Sequence, residues 1–420
     1  MHRPIFTVCD WLCCRIAVLV VGVARLIGAV ARRTDVVSAR KNVLVYANDL
    51  LGDTFVRLPF FMALRREFPS DGFHITLVLS AAAASIIQRL DCADEIIKEE
   101  PLHPRHPIFW IFTRSGFIAK SLRWAIANKA EVVIICHRYR SLGCDFAVSL
   151  CNPAIAVAYG ANEKYLMYPM AHRLQRDVYD KMYAYLLAQQ ESSHQMDDLD
   201  RLLSWAVGHA VTTGLPGIKS VYKMLDFFDL GVLPSEYIVL VPGAHVMYRR
   251  WPIKKFIEVA RSVGSPVVVV GTSDESELGE EVARSLNVKV YNMCGKTTLS
   301  QLGGIMYRAK IVITNETGTA TYASMIGAKT VCVLGGGDFG AFHPNKRCRT
   351  TLCAYRMREC FGCDWKCKEA NLSGSAIAPC VDAISVSDVY EAVRKFLETN
   401  NNKSNNKSAN TDKRQMKYLI

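Results

Sequence analysis

Apolar residues fall along this chain in short runs rather than long stripes. In the first half, "VLVYA" (43–47), "HITLVL" (74–79), "VVIIC" (132–136) and "AIAVAYG" (154–160) each suit one buried strand. Patterns of helical period lie between them, near residues 59–68, 80–90, 115–127 and 172–188. The second half repeats the alternation with "YIVLVP" (237–242), "PVVVVG" (266–271), "VKVY" (288–291), "IVIT" (311–314) and "TVCVL" (330–334). Each of the first four of these is followed by 9 to 16 residues of helical character. Short β-branched strands alternating with helices predict parallel sheets covered on both faces. The stretch between the halves starts polar, as "QQESSHQMDDLDR", then carries "GLPG" and "LP", and reads as a linker with some helix.

The expected organisation is α/β, with two Rossmann-like, doubly wound domains facing a cleft. Residues 1–40 form an amphipathic membrane-associating segment, 41–190 the first domain and 191–233 the linker. Residues 234–385 form the second domain, with a cysteine-rich insertion at 348–380; a C-terminal helix (386–400) and a disordered basic tail (401–420) follow.

Charge sharpens this picture. The net charge of +12 comes from three segments at +4 each: 1–40, 341–380 and 401–420. The remainder is neutral, which argues against a nucleic-acid-binding fold and for local contacts with something anionic. The uncharged run "IAVLVVGVA" (Ile16 to Ala24) is too short to span a bilayer. On a helical wheel Asp10, Arg15, Arg25, Arg32 and Arg33 group on one side, as in a helix lying in the membrane interface. A signal peptide ending at "AVA" is the rival reading, and Arg25 inside the apolar stretch argues against it. Fifteen cysteines at irregular spacing make a poor disulfide framework, so the body reads as reduced and cytosolic.

Five places could carry chemistry. Asp53 follows Gly52 just past the first strand, where ligands of such sheets bind; capping of the next helix and catalytic base stay open as its roles. The loop "PGAHVMYRRWP" (242–252) offers Gly243, Ala244 and the forks of Arg249 and Arg250, suited to phosphate or merely solvated. "TNETGTATYASMIGA" (314–328) runs from a strand into a helix, whose N-terminal N–H groups make a candidate anion site that Gly318 would let a ligand approach closely. Glu316 there could accept hydrogen bonds from sugar hydroxyls or simply complement the helix dipole. "GGGDFG" (335–340) matches the dinucleotide spacing, but "AFHPNKRCR" follows where a helix is needed, so it reads as a glycine-rich wall. Cys360, Cys363, Cys367 and Cys380 could hold a structural zinc, or they could be free thiols in a satellite core with Phe361 and Trp365.

Taken in order, "GDTFVRLPFFMALRREFP", "PGAHVMYRRWP", "CGKTTLSQL", "NETGTATYASMIGAKTVCVLGG" and "AFHP" resemble glycosyltransferase family nine, the lipopolysaccharide heptosyltransferase-like enzymes. The resemblance runs from about residue 42 to 397 and implies a GT-B fold with inverting, metal-independent transfer and no required cofactor. It implies a nucleotide-sugar donor such as ADP-heptose and a lipid-linked oligosaccharide acceptor, met peripherally at the cytoplasmic face of a bacterial inner membrane. By the same resemblance Asp53 matches the catalytic base. Arg249 matches a position, usually lysine, that serves the leaving diphosphate. Thr317, Gly318 and Thr319 match the phosphate cradle, and Glu316 the acid that holds the donor sugar. The family commonly has Asp-Thr-Gly with histidine three residues on; here stand Glu316 and Thr321, which bears on the donor more than on the reaction class. A membrane-associated sugar-nucleotide-binding accessory protein without efficient catalysis is the alternative. A cysteine-based metal or redox protein is a third.

Overall fold

The computed structural model describes residues 40–99, 130–160 except 139 and 141, 175–188, 193–227, 232–372 and 376–405. The expected N-terminal amphipathic helix, the helical stretch at 115–127 and most of the basic tail lie outside the described residues. The chain divides into two compact units, Met1–Met224 and Leu225–Ile420.

The first unit holds six parallel strands in the order β3-β2-β1-β4-β5-β6. They are β1 (Lys41–Tyr46), β2 (Phe73–Leu79), β3 (Glu95–Lys98), β4 (Ala130–Ile135), β5 (Ile155–Tyr159) and β6 (Tyr185–Leu187). The strand order reverses between β1 and β4, where Tyr46 lies opposite Ile135. Side chains following β1 and β4 therefore gather at the switch point, where doubly wound sheets bind ligands. After β1 the chain makes helix α1 (Leu51–Val56), pauses at Arg57 and continues as α2 (Leu58–Glu67). Pro59 sits in the first turn of α2, where its missing N–H costs nothing. Phe60 and Leu64 turn into the core, and Phe68 is buried just past the helix end.

One expectation changes here and another is filled in. Of the helix expected at 172–188, the described residues 175–188 form no single helix: a π turn and a 3-10 turn lead into β6, whose Tyr185 pairs with Val157. The expected linker carries a full helix, Gln195–Val207, with Met196, Leu199, Leu202 and Leu203 buried. Its polar beginning is an N-terminal signal, with His194 as the cap and Asp197 and Asp198 in the first turn.

The second unit has the order β12-β11-β10-β7-β8-β9, again all parallel. Its strands are β7 (Ile238–Val241), β8 (Val267–Val269), β9 (Val290–Asn292), β10 (Ile311–Asn315), β11 (Thr330–Val333) and β12 (Thr351–Ala354). Helix Ile253–Val263 buries Phe256, Ile257, Val259 and Ala260 against the sheet, beside fully buried Trp251. β12 lies inside the segment expected as insertion, so the cysteine-bearing departure from the fold begins after Ala354. The final helix runs Val386–Asn405, past its expected end at residue 400 and into the stretch expected to be disordered. The reversal between β10 and β7 places the loop after β7 and the residues after β10 side by side.

Candidate functional site

In the first unit, the N-cap of α1 is Leu50, and no side chain caps that helix. Asp53 sits instead within the first turn, half-buried, and Gln195 donates its Nε2–H to Asp53 Oδ1 at 3.3 Å. Capping thus does not account for this carboxylate. One turn on, buried Arg57 donates to Asp49 and, at 2.8 Å, to the carbonyl of Cys136. Its guanidinium is held above the ordinary range; burial works against this, and the charges of Asp49 and Asp53 outweigh it. His137, just past β4, places Nε2 3.1 Å from Asp49 Oδ1 and Nδ1 3.2 Å from the Cys144 thiol. The Asp49 carboxyl is lowered despite its burial, because His137 and Arg57 both favour its charge. Burial, aided by Arg57, pushes the His137 imidazole below its usual value although Asp49 pulls the other way. The result is a fixed positive charge beneath an accessible carboxylate, at the end of β1.

In the second unit, Glu316 and Thr317 follow β10, and helix α3 (Gly318–Met325) begins immediately. Its first internal bond runs from Thr321 N–H to Thr317 O at 3.2 Å, which leaves the N–H groups before it for a ligand. Glu316 is buried, and neither carboxylate oxygen has a hydrogen-bond partner within the protein; the same is true of Thr317 Oγ1 and Arg249 Nε. Burial raises the Glu316 carboxyl to about 8; Asp338 adds to that rise and Arg249 opposes it. Arg249 reaches this corner from the loop after β7, donating Nη2–H to Asp338 Oδ2 at 2.7 Å. Asn315 ties loop to strand: its Nδ2 donates to Pro242 O at 2.7 Å, and its Oδ1 accepts from Trp251 N–H at 2.9 Å.

Arg249, Glu316, Thr317, Gly318 and Thr319 therefore share one corner. Gly243 and Ala244 lie on the same loop but are engaged within it. The Gly243 carbonyl accepts from Asn315, and the Ala244 carbonyl accepts from Arg250 Nε at 2.9 Å and Nη2 at 2.7 Å. The Glu275 carboxylate fills the space where a Cβ on Gly243 would lie. That glycine admits a carboxylate that also receives the Thr272 N–H at 2.9 Å.

Sequence reasoning missed two members of this corner. Asp338 was legible only as part of "GGGDFG", and Trp365 only as a core aromatic beside the cysteines. Trp365 donates Nε1–H to Asp338 Oδ2 at 2.8 Å, and its ring lies 4.4 Å from the Arg249 guanidinium carbon. The three glycines 335–337 are a socket: a Cβ on Gly336 would strike Phe361, and one on Gly337 would strike Trp365.

Cys360, Cys363, Cys367 and Cys380 line one small cavity with Glu369 and Trp365. Burial, followed by the proximity of the other thiols, raises Cys363 and Cys380 above the ordinary thiol value. All four are free thiols, and among the described residues no group of three or more His, Cys, Asp or Glu side chains is gathered as a ligand set.

Residues 186–369 match the model of glycosyltransferase family 9 (heptosyltransferase). That stretch, just under half of the chain, is where the likeness to the family lies. The match takes in Arg249, Glu316, Asp338 and Trp365. Across 102 residues the chain is 28% identical to lipopolysaccharide heptosyltransferase 2 of Escherichia coli K12, which covers 22% of this chain and 29% of that relative's length. In three dimensions the chain resembles the ADP-heptose lipopolysaccharide heptosyltransferase II of E. coli (TM-score 0.60, 14% identity, 86% of this chain and 99% of that one). A family 9 glycosyltransferase of Veillonella parvula is similar at TM-score 0.61 and 19% identity, again over 86% of this chain and 99% of the other. E. coli heptosyltransferase WaaC, solved with ADP-2-deoxy-2-fluoro heptose, follows at TM-score 0.55 and 14% identity, over 86% and 99%. At these identities the likeness is one of fold.

Proposed function

We propose that this protein is an inverting glycosyltransferase that moves a heptose-like sugar from a nucleotide diphosphate donor to a lipid-linked oligosaccharide. The observation that carries this reading is the corner after β10, where buried Glu316 and half-buried Thr317 hold side-chain oxygens without a hydrogen-bond partner at a helix N-terminus beside Arg249. Such a corner can take a group that is hydroxyl-rich at one end and anionic at the other. Leaving-group departure adds negative charge to the diphosphate, and Arg249 with the N–H groups of α3 would stabilise it. These groups supply the counter-charge that a divalent cation supplies elsewhere, so transfer is proposed to be metal-independent. A structural zinc at the four cysteines would sit outside the chemistry. Asp53 would take the proton of the acceptor hydroxyl as that oxygen attacks the anomeric carbon. Gln195 would keep its carboxylate oriented, and Arg57 would place a positive charge beside it.

The acceptor class and the site at the cytoplasmic face of the inner membrane rest on family likeness and on the basic terminal segments. Among the described residues no helix is long and apolar enough to cross a membrane.

A panel of sugar nucleotides, ADP-heptose among them, tests the reading with lipid-linked acceptor, wild type and Asp53→Asn. Turnover of at least one donor by wild type, and its loss in the variant, is the expected result. Equal near-zero rates for both would point to the accessory, sugar-nucleotide-binding role instead. Transfer abolished by a chelator and restored by added metal would overturn metal independence.

A further inference from the structure

The cysteine-bearing segment and the corner after β10 meet at a single side chain. One oxygen of Asp338 accepts both Arg249 Nη2–H, at 2.7 Å, and the indole N–H of Trp365, at 2.8 Å. The indole face also covers the guanidinium, 4.4 Å from ring centroid to Cζ. Two features show that this placement is built into the segment. Asp364 and Trp365 both lie in the left-handed region, at φ 53° and 56°, a conformation disfavoured for residues with a Cβ. The segment's backbone is also clipped to the glycine run, with Gly362 N–H donating to Gly336 O at 2.7 Å and Asp364 N–H to Gly337 O at 2.9 Å. Strained backbone, anchoring bonds and socket all serve to bring one ring to one arginine.

We propose, on the reading of this corner as a donor-diphosphate site, that Trp365 is a positioning residue for donor binding. It fixes the plane of the Arg249 guanidinium and holds Asp338 as an interim counter-charge. When diphosphate oxygens replace Asp338 at Arg249, the indole N–H retains the displaced carboxylate. The cysteine-bearing segment is thereby a working part of the donor site rather than an appendage. Arginine is a long side chain whose freedom opposes capture of a phosphate, and a covering aromatic face removes much of that freedom before binding.

The test is calorimetric titration of ADP into the full-length protein, with steady-state kinetics on the same variants. Trp365→Phe keeps a ring over Arg249 and is expected to bind ADP within about threefold of wild type, whereas Trp365→Leu is expected to bind roughly tenfold more weakly. The loss should appear in donor KM, with kcat and acceptor KM moving less than about threefold. In an Arg249→Lys background, which lacks the planar fork, Trp365→Leu should add nothing; a merely structural role would weaken both backgrounds alike. Where the leucine variant fails to fold, Trp365→Met fills the socket without an aromatic face and is expected to behave as the leucine variant would. ADP affinity unchanged in a folded leucine or methionine variant overturns the positioning role and leaves glycosyl transfer standing. A wild type that neither binds ADP nor turns over any donor removes the diphosphate site itself, and the role of Trp365 with it.

Discussion

Glu316 follows a strand with a carboxyl that accepts no hydrogen bond from the protein, raised to about 8 by burial and by Asp338. Below that value it is neutral and can face a diphosphate without repulsion; above it, a second negative charge joins Asp338. Donor affinity is therefore expected to fall as pH rises through about 8 in wild type and to stay level in Glu316→Gln, as titration of ADP across pH would show. Stability follows the same sign. The folded state holds the proton more tightly than the unfolded chain, so the contribution is greatest below the ordinary carboxylate range and declines as pH rises toward about 8. Melting curves should place Glu316→Gln about 2–5 °C above wild type near pH 8.5 and level with it near pH 5. For Asp53→Asn the expectation is a fall in kcat of about 10²- to 10⁴-fold, with donor KM nearly unchanged. Both acids were legible in the sequence because each stands within two residues of a glycine where a strand gives way to a helix. Asp338 and Trp365 were not, since they meet across 27 positions and no local period encodes that meeting.

Strands with continuous β-branched runs declared themselves, and three of the four edge strands did not. β3, β6 and β12 are short, and β3 is half exposed throughout, so their sequences lack the unbroken apolar signal that burial on both faces imposes. Helix Gln195–Val207 was partly concealed by its own polar start. At this scale Gly243 joins two elements: its missing side chain lets Glu275 reach back and hold the turn ahead of helix Ser276–Ser285. Gly243→Ala is expected to cost about 1–3 kcal/mol in a denaturant titration, and pairing it with Glu275→Ala should recover part of that loss. Independent, additive losses would show that the two residues do not compete for one space.

For the whole molecule, the positive charge is concentrated near the ends and in the cysteine-bearing segment, while the rest is balanced. The expected behaviour is sedimentation with vesicles containing anionic lipid, weakening between about 0.1 and 0.5 M salt as the Debye length shrinks. Removal of residues 1–39 should diminish it. Binding that ignores both salt and truncation would refute an electrostatic, N-terminal attachment.

The socket at 335–337 has a practical consequence for anyone retuning this protein. Two aromatic rings occupy the volume that any side chain there would need. Saturation libraries at these three positions should return glycine alone among active clones. Diversity introduced at exposed Met357, on the same stretch of chain, should be tolerated freely. Selectivity for a new sugar is better sought at Glu316 and Thr321 than along the wall behind them.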